Sequence, residues 1–169
     1  MAVAKAKFKE IESYAHRFAK ELLMSWITSG GIKIGNYLIE KPDKDSNGFC
    51  TLEYPIIQGV FPYMHDELLG CLKRRGTCNY RTWGGSYCPC MKCPHFSKKH
   101  RLVAVADLAI AHKGAINDII EVVYKNGLSD LKREVYERNR PIGRVLSVSA
   151  QHVLGQIQRP ERLECVEAV

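Results

Sequence analysis

Two carboxylates stand inside otherwise apolar runs of this 169-residue chain, Asp107 in LVAVADLAIA and Glu121 in IIEVV. A carboxylate within a buried strand is costly unless it is paired, hydrogen-bonded or bound to a metal ion. Side chains alternate along a strand, so Val103, Val105, Asp107 and Ala109 share one face. Glu121, Val123 and Lys125 do the same in the following run. His112-Lys113-Gly114 forms a turn between the runs, and a hairpin closed there sets Asp107 beside Glu121. Two such carboxylates are what Mg²⁺ or Mn²⁺ takes from a protein, with waters and a phosphate completing the shell. The plainer alternative is a carboxylate at a strand end, half solvated or paired with Lys125.

A second constellation is the cysteine-rich segment CNYRTWGGSYCPCMKCPHFSKKH. Five of the seven cysteines, Cys71, Cys78, Cys88, Cys90 and Cys93, lie between positions 71 and 93, and Cys90-Met-Lys-Cys93 is a C-x₂-C knuckle. Thiolates and imidazoles at this density suit tetrahedral Zn²⁺ in a structural site. The spacing leaves the choice open among the five cysteines, His95 and His100. Cys78, Cys88, Cys90 and Cys93 are favoured, with Cys71 and His95 in reserve. Cys50 and Cys165 stand alone and are read as ordinary thiols.

Residues 71–101 hold eight basic residues, Lys73, Arg74, Arg75, Arg81, Lys92, Lys98, Lys99 and Arg101, and no acidic one, which exceeds the whole +7 net charge of the chain. A localised basic patch is the electrostatic footprint of a polyanion partner, most often nucleic acid. Tyr80, Trp83, Tyr87 and Phe96 interleave with these cations. Aromatics so placed either stack on bases or form a miniature core over the zinc. Trp83 is open between the two roles, and Phe96 suits the core.

These groups need elements to position them. Residues 5–28 read as an amphipathic helix with Ile11, Tyr14, Ala15, Phe18, Leu22 and Trp26 on its apolar face, stopped by Ser29-Gly30-Gly31. Glu12, His16 and Lys20 line another face, four residues apart. Charged residues at that spacing are commonly a solvated stripe with small i,i+4 gains. Residues 32–39 and 49–57 read as strands joined into a hairpin across KPDKDSNG. Residues 102–111 and 116–125 are the strands carrying the two acids. Ser129 caps a helix to about residue 139, with Leu128, Leu131 and Val135 as its buried stripe, and residues 143–150 are a last strand. The tail from Gln151 has no assignment. Strands paired by tight turns plus a helical crossover predict an α/β (α+β) fold, a mixed sheet flanked by helices.

ADLAIAHKGAINDIIEVVYKNGLSDLKREVYERN, followed by GRVLSVSA, resembles the core of the PD-(D/E)XK, or restriction-endonuclease-like, nucleases, closest to the competence protein CoiA-like branch. SYAHRFAK is similar to that branch's first helix, with His16 and Lys20 at its His-x-x-x-Lys positions, and LEYPI resembles its early strand, with Glu53 at an acidic position. The likeness spans most of residues 10–150 apart from the cysteine-rich insertion at 71–100. It implies a central mixed sheet with helices on both sides, Asp107 and Glu121 as ligands of Mg²⁺ or Mn²⁺, and a lysine that orients or activates the attacking water. It also brings His16 and Lys20 toward the rim of an active site. One departure stands out. The family lysine follows the acid by two residues, where this chain has Val123, and Lys125 or Lys20 would have to replace it.

Composition sets the outer bounds. Hydrophobic residues at 46% and charged residues at 25% exclude wholesale disorder, and a chain of this length buries a core without disulfides. No apolar run approaches a membrane span, and the first residues lack a signal core. A single nuclease-like domain over residues 1–169, intracellular, neither secreted nor membrane-bound, is therefore expected. Its partner is nucleic acid, with DNA favoured, and a homodimer is one open assembly. The leading expectation is a metal-dependent nuclease gripping its substrate through a zinc-bound insertion, with Lys73, Arg74, Arg75, Arg81, Trp83, Lys98, Lys99 and Arg101 on the nucleic acid. The alternative is a nuclease-fold protein without activity that binds or assembles nucleic acid. Pro89-Cys90-Met91-Lys92-Cys93, with His65-Asp66-Glu67 upstream, also matches the zinc-deaminase pattern H-x-E…P-C-x-x-C, a third reading ranked below these two.

Overall fold

The computed structural model describes residues 13–58, 61–63, 102–124 and 126–169. Helix α1 (Tyr14–Gly30) starts where the Ser13 side chain accepts the His16 N–H at 3.2 Å. It ends at Gly31, whose φ of 78° lets its own N–H close on the Ile27 carbonyl at 2.9 Å. Strands β1 (Ile32–Ile34) and β2 (Tyr37–Ile39) fold back on each other, and a 3₁₀ turn at Lys44–Ser46 leads into β3 (Phe49–Ile57). Strands β4 (Leu102–His112) and β5 (Ala115–Val123) form the hairpin that carries both acids. Its two turn residues, Lys113 at φ 53° and Gly114 at φ 79°, have the positive φ values whose twist matches paired strands.

Ser129 caps α2 (Asp130–Arg138), which crosses over to β6 (Arg144–Ser149), parallel to β5. Ser149 then caps α3 (Ala150–Leu154), and the chain closes with β7 (Arg162–Leu163) and β8 (Glu167–Ala168). Among the described residues two mixed sheets result, five strands in the order β3-β4-β5-β6-β8 and three in the order β2-β1-β7. Pro55 sits in β3, an edge strand among the described residues, where its missing N–H costs no ladder bond to a second described neighbour.

The five-stranded sheet separates two cores. Leu108, Ile110, Ile120, Val122, Leu146 and Val148 pack with Ala19, Leu23, Trp26 and Ile27 of α1, with α3 and with the small sheet. Ala109, Ala111, Ile119 and Val145 pack on the other side with Tyr136 of α2, Leu128, and Tyr54 and Ile56 of β3. The period-two alternation along β4, β5 and β6 makes these two faces. The architecture is thus mixed α and β, with helices on both sides of the main sheet.

Four expectations are corrected. Residues 32–39 are not one strand paired with 49–57: the chain reverses at Gly35, β1 pairs with β2 and β7, and β3 pairs with β4 instead. The buried face of α1 is rotated from the expected stripe, because the helix turns Lys20 inward with Ala19, Leu23, Trp26 and Ile27 and leaves Tyr14 (94% exposed) and Phe18 (56%) outside. In the stripe expected for α2, Leu128 is buried and Val135 packs against the core as predicted, but Leu131 is exposed and Tyr136 is the fully buried residue. The last predicted strand stops at Ser149, which caps α3, and the unassigned tail supplies β7 and β8.

Candidate active site

The β4–β5 pairing Leu108↔Ile120 puts Asp107 opposite Glu121 at the next position. There the two strands part. Val122, which would continue the ladder, donates its N–H to Asp107 Oδ2 at 2.8 Å instead. The Val122 carbonyl is taken by His16 Nε2 at 2.8 Å, and the same nitrogen lies 3.3 Å from Asp107 Oδ2. Both neighbours are acceptors, so Nε2 carries the hydrogen. A side chain from β4 and another from α1 thereby replace the missing strand partner. Tyr124 backs the imidazole, its ring 5.8 Å from that of His16 and its hydroxyl 2.5 Å from Ser13 Oγ.

Lys20, 1% exposed, bonds Glu53 Oε1 and places Nζ 3.8 Å from Asp107 Oδ1. Glu53 adopts φ 56°, uncommon for a residue with a side chain, between the ladder pairs Leu52↔Leu108 and Tyr54↔Ala106. Such backbone strain persists where surrounding contacts impose it, and it clusters at working sites. Here it accompanies a carboxylate held on the buried lysine.

Glu121 is 2% exposed, with both oxygens engaged. Tyr136 donates its hydroxyl to Oε1, and Lys132 donates to Oε2 at 2.6 Å. Both come from α2, one turn apart, so a single helix face serves one buried acid. Asp107 and Glu121 lie close enough for each to shift the other's protonation.

The pair divides its protonation unequally. Burial raises both carboxyls, but at Asp107 the hydrogen bond from His16, the charge of Lys132 and the hydrogen bond from Glu121 outweigh it and bring the pKa down to about 2. At Glu121, burial and the negative charge of Asp107 outweigh Lys132 and push the pKa up to about 7. Asp107 is thus the ionised member and Glu121 the one that keeps a proton near neutrality. Tyr136, buried against this charge, is raised well above its ordinary range.

The structure therefore brings together Asp107, Glu121, Glu53, His16 and Lys20, and the solvated-stripe reading of the last two is overturned by the burial of Lys20 and the tertiary contacts of half-buried His16. Lys132 and Tyr136 were not anticipated. The signal was present: a buried acid needs a cation on the element packed over it, and α2 follows β5 directly. Asp118, the other acid in β5, is not part of the site. Its Oδ1 accepts from Arg144 Nε at 3.1 Å, while Arg144 also donates to the Leu38 carbonyl at 3.0 Å, which ties the two sheets together.

Lys125, Glu12, the cysteine and histidine cluster (Cys71, Cys78, Cys88, Cys90, Cys93, His95, His100) and the basic and aromatic residues Lys73, Arg74, Arg75, Arg81, Trp83, Lys98, Lys99 and Arg101 lie outside the described residues. Cys50 and Cys165 are free thiols, and burial pushes that of Cys50 up to about 12.

Among the described residues no group of three or more His, Cys, Asp or Glu side chains is arranged around a metal position. The hard-oxygen donors on offer are the two adjacent carboxylates. That set fits Mg²⁺ or Mn²⁺, which take one or two carboxylates and fill the remaining positions with water and phosphate oxygen. It does not fit Zn²⁺, which takes three or four protein ligands. Among the described residues no helix is long and apolar enough to cross a membrane. No protein-family model, curated protein or solved structure matches the chain.

Proposed function

We propose that this chain is a divalent-metal-dependent nuclease that hydrolyses phosphodiester bonds of DNA on a restriction-endonuclease-like core. The observation that carries the reading is the Asp107–Glu121 pair, two buried carboxylates at opposing positions where two strands part, ringed by Lys20, Lys132 and His16. Structural carboxylates in sheets are ordinarily satisfied singly, as Asp118 is by Arg144. Placing two together raises the energy of their charged forms, a cost that a dication offsets.

Asp107 and Glu121 would hold the metal, which when bound supplies Lewis-acid stabilisation of charge developing on a phosphoryl oxygen. His16 fixes Asp107 and the Val122 peptide in place. Lys20 keeps Glu53 and Asp107 at a set separation. Among the described residues its ammonium is one of two on hand to orient water or a phosphate oxygen in place of a lysine at position 123, a role for which Lys125 is also a candidate. Lys132 is the second of the two. The basic, cysteine-rich segment would bind about one structural zinc, which elemental analysis of chelator-free protein checks, and would supply contacts to phosphates.

The alternative, a nucleic-acid-binding or assembly factor on an inactive nuclease fold, is favoured by Val123 at the family's lysine position. One incubation separates the two: single- and double-stranded DNA with the purified protein and Mg²⁺ or Mn²⁺, against EDTA. Cleavage only with the metal supports the nuclease. Retention of DNA without cleavage under any of these conditions supports the alternative.

A further inference from the structure

Lys132 occupies the metal-facing acid. Its ammonium is 2.6 Å from Glu121 Oε2, while Oε1 is held by the hydroxyl of Tyr136, a residue with no exposed surface. The two partners differ in freedom. Tyr136 is locked in the core between α2 and the sheet. The Lys132 side chain is 32% exposed against 2% for Glu121, so the lysine reaches the acid from the solvent side on a flexible four-carbon stem. Its backbone need not move for the ammonium to leave. The first turn of α2 is pinned by Arg133, which donates to Glu167 Oε1 at 2.6 Å and to the Leu128 carbonyl at 3.2 Å. Oε2 is thus the one oxygen of Glu121 that can be vacated by a side-chain rotation.

We infer that Lys132 is a built-in counter-ion for the carboxylate pair, held on Glu121 Oε2 in the metal-free protein and displaced by the incoming divalent cation. The inference rests on the metal-dependent reading above and adds that metal affinity is set by a competition within the chain. With the lysine withdrawn and Glu121 deprotonated, the two carboxylates carry two negative charges, the complement of one dication. With the lysine in place, half of that charge is already neutralised and one donor oxygen is blocked. A buried carboxylate is therefore never left without a cation, which would cost far more than the exchange.

Direct binding of Mn²⁺ to the full chain tests this, with Glu121→Gln defining the binding that belongs to this site. Lys132→Met should bind Mn²⁺ about tenfold more tightly than wild type, the order expected when the competing state loses one charge-assisted hydrogen bond. Lys132→Gln should shift the same way and Lys132→Arg should bind as wild type does. The Met variant should also melt lower without metal and gain more in Tm on adding Mn²⁺; if it is unfolded without metal, Mn²⁺ should restore the fold. Glu121-dependent binding that is unchanged or weaker in both Lys132→Met and Lys132→Gln overturns the counter-ion role and leaves the nuclease reading standing. No Glu121-dependent Mn²⁺ binding in wild type or either variant defeats the metal reading, and this inference with it.

Discussion

Asp107 Oδ2 lies 2.8 Å from the backbone nitrogen of Val122, in the place where a neighbouring strand's carbonyl would otherwise sit. One side chain thus both ends a ladder and anchors a charged cluster. The strands separate at the position where the sequence puts its two acids, and the opening admits groups from α1 on one side and α2 on the other.

Metal-free stability should fall as pH rises through the acidic-to-neutral range. Glu121 moves from an ordinary 4.5 to about 7 on folding, so the folded state holds the proton more tightly and loses that advantage between those values. Asp107, held down from 3.8 to about 2, acts oppositely, its contribution being lost as pH falls between those two values. Denaturation without metal at about pH 5 and about pH 8 should show Glu121→Gln gaining on wild type by on the order of 3 kcal/mol across that interval. An unchanged difference would mean that Glu121 titrates normally.

Lys20→Met should destabilise the protein by about 3 kcal/mol or more, because it removes the buried cation bonded to Glu53 and near Asp107. The double variant Lys20→Met, Glu53→Gln should recover part of that loss, as expected for side chains in contact. Urea unfolding measures both. A Lys20→Met variant within about 0.5 kcal/mol of wild type would show the contact to be incidental.

The hairpin with its two acids was legible because its determinants are local. Lys113-Gly114 suits the turn, and the alternation of Val, Ala and Ile around Asp107 and Glu121 marks strands. The caps at Ser129 and the parallel crossover followed similarly. The orientation of α1 did not, because Tyr14 and Phe18 make a plausible apolar stripe while the helix in fact buries a lysine to reach Glu53. Here a tertiary ion pair overrides hydrophobic periodicity. Lys132 and Tyr136 escaped for the same reason: their inward placement answers a charge on another strand. β7 and β8, each two residues long, exist through pairing with β1 and β6, so no local pattern announces them.

Nucleic-acid affinity should reside largely in the basic segment, which carries more than the chain's whole positive excess. Binding should weaken steeply with salt, with a log–log slope of about −0.9 per phosphate contact on duplex DNA or about −0.7 on single strands. Replacing Arg74, Arg75, Lys98 and Lys99 with Glu should flatten that slope and cut affinity. A quadruple variant that binds as wild type would move the nucleic-acid surface elsewhere.

The most direct measurement is DNA cleavage by Asp107→Ala and Glu121→Ala beside wild type, in Mg²⁺ and in Mn²⁺, with circular dichroism showing that each variant is folded. The account predicts metal-dependent cleavage by wild type and a loss of about a hundredfold or more in each variant, since each removes one of the two carboxylates that would hold the ion. Cleavage at the wild-type rate in both variants would contradict it.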